Sequence, residues 1–191
     1  KTIIPGGGQL LSKKAERFLP DQWPSYYQKA KGYHVWDLDN IKYADFAQMG
    51  VGSCIHGYAN PIINKKVIKS IRNGSMSSLN SYEEIELAER LLDLHPYSSM
   101  ARFARTGGEA CSIAVRIARA ASGKDGVAFC GYHGWHDLYI SANIQDSENL
   151  NNQLLSGLNP DGVPKELAGT TFPFLYNDFD SLDIIEKNKT N

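Results

Sequence analysis

Between Met100 and Cys130 the chain alternates periodicity in a way that few folds accept. Met100-Ala101-Arg102-Phe103-Ala104-Arg105 reads as a strand and Thr106-Gly107-Gly108 as a tight turn. Glu109 to Ser122 reads as an amphipathic helix with Ile113, Ile117, Ala118 and Ala121 inward, closed by Gly123. Val127-Ala128-Phe129-Cys130 reads as a second buried strand. Strand, helix and strand at this spacing make a crossover, which joins parallel strands. A parallel sheet has to be covered, so the predicted class is α/β with helices on both faces.

The flanking segments suit the same class. Residues 1–32 read as irregular, with Pro5, Pro20 and Pro24 and a short helical patch around Lys13–Phe18. His34–Leu38 and Ile41–Phe46 are β-prone, and Asp39-Asn40 between them predicts a hairpin. Asn60-Pro61 opens a helix that runs through Val67, Ile68 and Ile71 to Gly74. Ser81 and Glu84 have the spacing of a capping box for the next helix, which Pro96 ends. Thr170–Phe174 reads as another strand, and Phe179–Lys187 as a helix with no closing strand after it, so the chain is expected to be cut short.

Charge excludes some partners. Twenty basic and 21 acidic residues leave a net charge of -1, and nothing in that balance suggests a nucleic-acid or anionic-membrane partner. No apolar run approaches the roughly 20 residues that span a bilayer. Cys54, Cys111 and Cys130 form no CxxC pair, and Lys1–Gly8 has no apolar signal segment, so free thiols and a cytoplasmic location are expected.

Two segments carry candidate chemistry. At Thr106-Gly107-Gly108-Glu109 a helix opens on glycines, leaving backbone N–H groups and partial positive charge for an anion such as phosphate. The same residues also suit a plain strand-to-helix turn. Cys130-Gly131-Tyr132-His133-Gly134-Trp135-His136-Asp137 follows a strand's carboxyl end, where open α/β sheets place ligands, and its aromatics suit a flat ring. Cys130, His133 and His136 are also of metal-ligating type, though their spacing matches no common zinc site. Arg105 stands beside the turn, placed for a carboxylate or for the sheet end. No G-x-S-x-G, Walker A or G-x-G-x-x-G pattern supports a hydrolase, nucleotide or dinucleotide site.

Taken together, Arg102–Ala110, Ile113–Arg119 and Gly131–Asp137 resemble class III aminotransferases, nearest the glutamate-1-semialdehyde 2,1-aminomutase branch. Val35–Asp39, Tyr43–Asp45, Gly57–Pro61, Gly162–Pro164 and Tyr176–Asp178 fit the same order. The resemblance implies a pyridoxal 5'-phosphate (PLP) enzyme of fold type I (aspartate aminotransferase-like). Residues 1–72 would be an N-terminal segment, part of the small domain. Residues 73–191 would be the first half of the large PLP-binding domain, with a parallel or mixed sheet.

It further implies a cofactor site of Thr106, Gly107, Gly108, Glu109, Tyr132 and His133. Gly107 and Gly108 would hold the phosphate, Tyr132 would stack on the pyridine ring, and Arg105 would meet substrate. Ser78 and Asn80 lie near a loop that such enzymes lend to the neighbouring subunit of a homodimer. The implied reaction is amino-group transfer on a small amino or keto compound. The Schiff-base lysine of the family comes later than Asn191, so the chain by itself is expected to be inactive. The aminomutases carry Asn-Ser-Gly-Thr where Arg105–Gly108 stands, and a Trp where Met49–Gly52 stands. Both differences leave room for a transaminase with another substrate, and a non-catalytic phosphate- or metal-binding module is the alternative.

Overall fold

The computed structural model describes residues 3–47, 50 and 52–188. Met49, Val51 and Asn191, which enter the expectations above, lie outside the described residues. The chain divides into two compact units, Lys1–Glu84 and Ile85–Asn191.

In the first unit, β1 (Tyr27–Lys31), β2 (His34–Asp37) and β3 (Lys42–Ala44) form an antiparallel sheet in that order. The predicted hairpin is β2–β3, with His34 opposite Ala44 and Trp36 opposite Lys42. Asp37 organises its turn. One carboxylate oxygen accepts from the Asp39 and Ile41 amides at 2.9 and 2.8 Å, and the other accepts from the Tyr43 hydroxyl at 2.9 Å. That last bond, followed by burial, raises the Tyr43 pKa, because ionising the phenol would break it beside a carboxylate. Asn40 takes the left-handed backbone (φ 63°) that the turn requires, which Asn tolerates better than most residues.

Strand β1 corrects the reading of 1–32 as irregular. Tyr27-Gln28-Lys29-Ala30-Lys31 shows no apolar alternation because it is an exposed edge strand, with only Ala30 half-buried and a register irregularity between Tyr27 and Lys29. Lysines on such an edge discourage further pairing.

Helix α1 (Pro61–Asn73) begins and ends as predicted. The Asn60 side chain accepts from the Ile62 and Ile63 amides, satisfying two of the helix's orphan donors, and Gly74 (φ 98°) ends it. Helix α2 (Tyr82–Leu94) has a different cap from the one expected. Ser81 accepts from the Glu83 amide and donates to the Glu83 carboxylate, and Glu84 is not its side-chain partner. Ser70 donates to the other Glu83 oxygen at 2.9 Å, so the carboxylate is held one position too early for a capping box.

In the second unit, α3 (Gly107–Ser122) is followed by β4 (Val127–Phe129), α4 (Asp137–Ile140), β5 (Thr171–Pro173) and α5 (Phe179–Asn188). The expected parallel pairing is present, but between β4 and β5, with Ala128 opposite Phe172. Met100–Arg105 is not a strand, because it has no ladder partner among the described residues and extended propensity alone does not make one. The inward face of α3 also differs. Cys111, Val115 and Arg119 turn toward β4, whereas Ile117 is 58% exposed and Ala118 and Ala121 are exposed. The helix carries apolar residues on two faces, and periodicity does not say which one the sheet takes.

The core of this unit comes largely from an irregular stretch. Tyr139, Ile140, Ala142, Leu150 and Leu158 form the buried cluster, with Phe129, Tyr132, Leu138, Leu155 and Val163 packed on it. Asn143, 1% exposed, holds the stretch together by donating to the Leu158 carbonyl and accepting from the Leu150 amide. Buried Thr171 on β5 donates to the Leu138 carbonyl at 2.9 Å and meets Ser141 at 3.0 Å.

Candidate functional site

Thr106 caps α3 from an extended backbone, and its hydroxyl accepts from the Glu109 amide. The Glu109 carboxylate turns back to accept from the Arg105 and Thr106 amides at 2.9 and 3.1 Å. This is a complete capping box, and it moves the helix start to Gly107, two positions ahead of the sequence reading. The Ala110 amide reaches the Thr106 carbonyl. Of the donors at this terminus, the Gly107 and Gly108 amides therefore remain without a partner among the described residues. A helix opening with two free amides and the positive end of its dipole is suited to an anion.

The two glycines have different reasons to be glycine. A Cβ on Gly107 would meet nothing within 4 Å, so this side of the turn is open. A Cβ on Gly108 would lie 2.5 Å from the His136 ring. A Cβ on Gly134 would lie 2.6 Å from the Gly108 Cα, and Gly134 has φ 99°. The glycine turn and the aromatic loop are thus in direct contact, as the sequence reading needs but does not itself establish.

His133 braces the same junction. Its Nε2 lies 2.7 Å from the Cys130 carbonyl, which only accepts, so Nε2 carries the proton. Nδ1 is then the acceptor for the Cys111 thiol of α3, at 3.7 Å. Both ring nitrogens are engaged within the protein, which leaves little for a metal. Among the described residues no group of three His, Cys, Asp or Glu side chains is placed to hold one. The three cysteines are free thiols.

Tyr132 is half-buried and meets Tyr139 edge-on, with centroids 5.4 Å apart. The Tyr139 hydroxyl is buried without a hydrogen-bond partner among the described residues, and burial followed by the nearby Tyr132 pushes its pKa up to about 12. Arg105 contributes only its backbone amide to the turn, and its side chain is exposed. Glu109 serves the cap. Tyr139, against the Tyr132 ring, and Gln153, bonded to the Gly131 amide, support the loop and are absent from the sequence reading, because they sit in stretches with no motif. A flat, phosphate-bearing group fits: two free amides and open space at Gly107 for the anion, and an aromatic loop against the same turn for the ring.

Known proteins decide the family. Residues 20–160 match the family described as Aminotransferase class-III. The chain belongs to the class III aminotransferases. It is 34% identical over 191 residues to a 3-aminobutyryl-CoA aminotransferase of Cloacimonas acidaminovorans, covering 99% of this chain and 42% of that protein. It is 33% identical to a glutamate-1-semialdehyde 2,1-aminomutase of Methanobrevibacter smithii, covering all of this chain and 43% of that one. Among solved structures, a transaminase with PLP bound superposes with a TM-score of 0.78 at 25% identity, over 98% of this chain and 42% of that one. This class III aminotransferase chain thus spans less than half the length of the relatives it matches, and its α/β architecture is that of the fold-type I transaminases. None of its described helices is long and apolar enough to cross a membrane.

Proposed function

We propose that the protein containing this chain is a PLP-dependent aminotransferase or aminomutase, and that this chain supplies its phosphate turn and ring-stacking loop. The observation that carries the reading is the pair of free amides at Gly107 and Gly108, held in contact with the aromatic loop through Gly134 and His136. Thr106 and Glu109 satisfy their own amides in the capping box and so take no part of the anion site's donors. Tyr132, on the same loop, would stack on the cofactor ring, and His133 fixes the loop to α3 through Cys111. PLP, when bound, supplies an electron sink at the amino carbon of the substrate. Arg105, exposed next to the turn, would meet the carboxylate of a small amino or keto compound.

In the whole enzyme, residues 1–72 would belong to the small domain and 73–191 to the first half of the large one, with Ser78 and Asn80 near a homodimer's shared site. The free cysteines suit a reducing, cytoplasmic setting. The alternative of a non-catalytic phosphate-binding module differs in having no lysine for the cofactor.

Substitution of Gly107 tests the reading, because the site is open and needs no left-handed backbone. Gly107→Ala should leave the fold intact. Gly107→Asp should fold equally well yet lose PLP binding, since its carboxylate would face the phosphate. Absorbance titration of the whole protein with PLP, followed by borohydride reduction, reads both binding and attachment. Equal PLP affinity in the Ala and Asp variants would remove the phosphate from this turn. Binding that borohydride never fixes would favour the non-catalytic module.

A further inference from the structure

The segment after α4 looks like a long connection, yet it delivers one side chain to the site. Leu150 is fully buried, and its carbonyl accepts from the Gln153 amide at 3.0 Å, closing a turn that presents the Gln153 side chain. The Gln153 Oε1 accepts from the Gly131 amide at 2.8 Å. Its Nε2 donates to the Phe174 carbonyl at 3.1 Å. The two partners fix which amide atom is which, since an N–H needs the oxygen and a carbonyl needs the NH2 group.

Both partners lie just beyond the carboxyl ends of the parallel pair. Gly131 follows β4 by two residues and Phe174 follows β5 directly, and the Phe174 amide still reaches the Phe129 carbonyl at 2.9 Å. Gly131 has φ 88°, so the chain turns sharply there before Tyr132. The amide that Gln153 holds is the one leading into that turn. Tyr132 therefore has two restraints: Tyr139 against its ring edge, and Gln153 on the backbone one residue ahead of it.

We propose that Gln153 is a positioning residue for the cofactor ring, setting the direction in which Tyr132 leaves β4 by holding the Gly131 amide, while its bond to Phe174 serves the stability of β5. This rests on the PLP reading above. Gln153 touches no reacting group and acts only through Tyr132.

Two near-isosteric variants of the whole, PLP-loaded protein separate positioning from general support. Gln153→Met loses both hydrogen bonds. Gln153→Glu keeps an acceptor for the Gly131 amide and loses the donor to Phe174. Both should melt at a lower temperature, because both lose the bond to β5. Only the Met variant should change the visible circular dichroism of bound PLP, and its dissociation constant should rise about fivefold, the equivalent of one ordinary hydrogen bond. The Glu variant should stay within about twofold of the unaltered protein.

If Met binds PLP with unchanged affinity and dichroism, or if Met and Glu shift both signals equally, the inference is overturned while the PLP reading stands. If the unaltered protein does not bind PLP, both fall. Should the Met variant not fold, the Glu variant carries the test, since a cofactor signal unlike the unaltered protein's overturns the proposal.

Discussion

Gly134→Ala is the sharpest single perturbation that the site offers. The new methyl would lie 2.6 Å from the Gly108 Cα and 3.3 Å from the Gly108 amide nitrogen. Both contacts are backbone, so no side chain can rotate away, and the loop and helix terminus must part. Overpacking of this kind costs roughly 1–3 kcal/mol. The residue would also hold φ near 99°, outside the region that alanine adopts, for about 1–3 kcal/mol more. The sum, roughly 2–6 kcal/mol, is a large share of the 5–15 kcal/mol that typically holds a folded protein. The displaced loop carries Tyr132 and His133, so PLP affinity should fall with stability. Gly123→Ala is the control. That glycine also has a positive φ, 67°, but a Cβ there meets nothing within 4 Å, so only the backbone term of about 1–2 kcal/mol applies. Urea unfolding of the whole protein, with and without PLP, measures both variants. If Gly134→Ala is no less stable than Gly123→Ala and binds PLP normally, the close contact between turn and loop is wrong.

Asn143→Ala should destabilise by at least ~2 kcal/mol, because it strands the Leu150 amide and the Leu158 carbonyl in the interior; a midpoint of urea unfolding within error of the unaltered protein would contradict this. The Glu83 carboxylate is held below its ordinary value of 4.5 by hydrogen bonds from Ser81 and then Ser70. A depressed carboxyl contributes stability above its unfolded pKa and loses it as pH falls through the folded value. The advantage of the unaltered protein over Ser70→Ala should thus be full above pH 4.5 and shrink on acidification, and a pH-independent difference would refute the role of Ser70.

What the sequence reveals here depends on how local the cause is. Asn60-Pro61, Gly74 and Gly123 mark helix ends by their own chemistry, and the structure has helix ends there. The hairpin at Asp39-Asn40 is legible for the same reason, since Asp37 folds its carboxylate onto amides two and four residues on. The family resemblance, resting on ordered motifs along most of the chain, agrees with the match over 20–160. The errors arise where a partner decides. Met100–Arg105 has a strand's pattern and no ladder partner among the described residues, while Tyr27–Lys31 lacks the pattern and is paired. Ile117 is as apolar as Val115, and only the position of β4 separates them. At the site, the glycines are legible as a turn, but the contact between Gly108, Gly134 and His136 is not, because it joins segments more than 20 residues apart. Gln153 has no signal at all, being one polar residue among several in Asn151–Gln153.

The irregular stretch from Ser141 to Leu158 contains amides as well sheltered as those of a central strand. The Leu150 amide, hydrogen-bonded to Asn143 in a residue with no exposed surface, should exchange its hydrogen with solvent only when the second unit opens as a whole. Deuterium uptake would then mark this connection, rather than the short strands β4 and β5, as the last part of the unit to come apart. A change in the length of this stretch would be felt as a core substitution is felt.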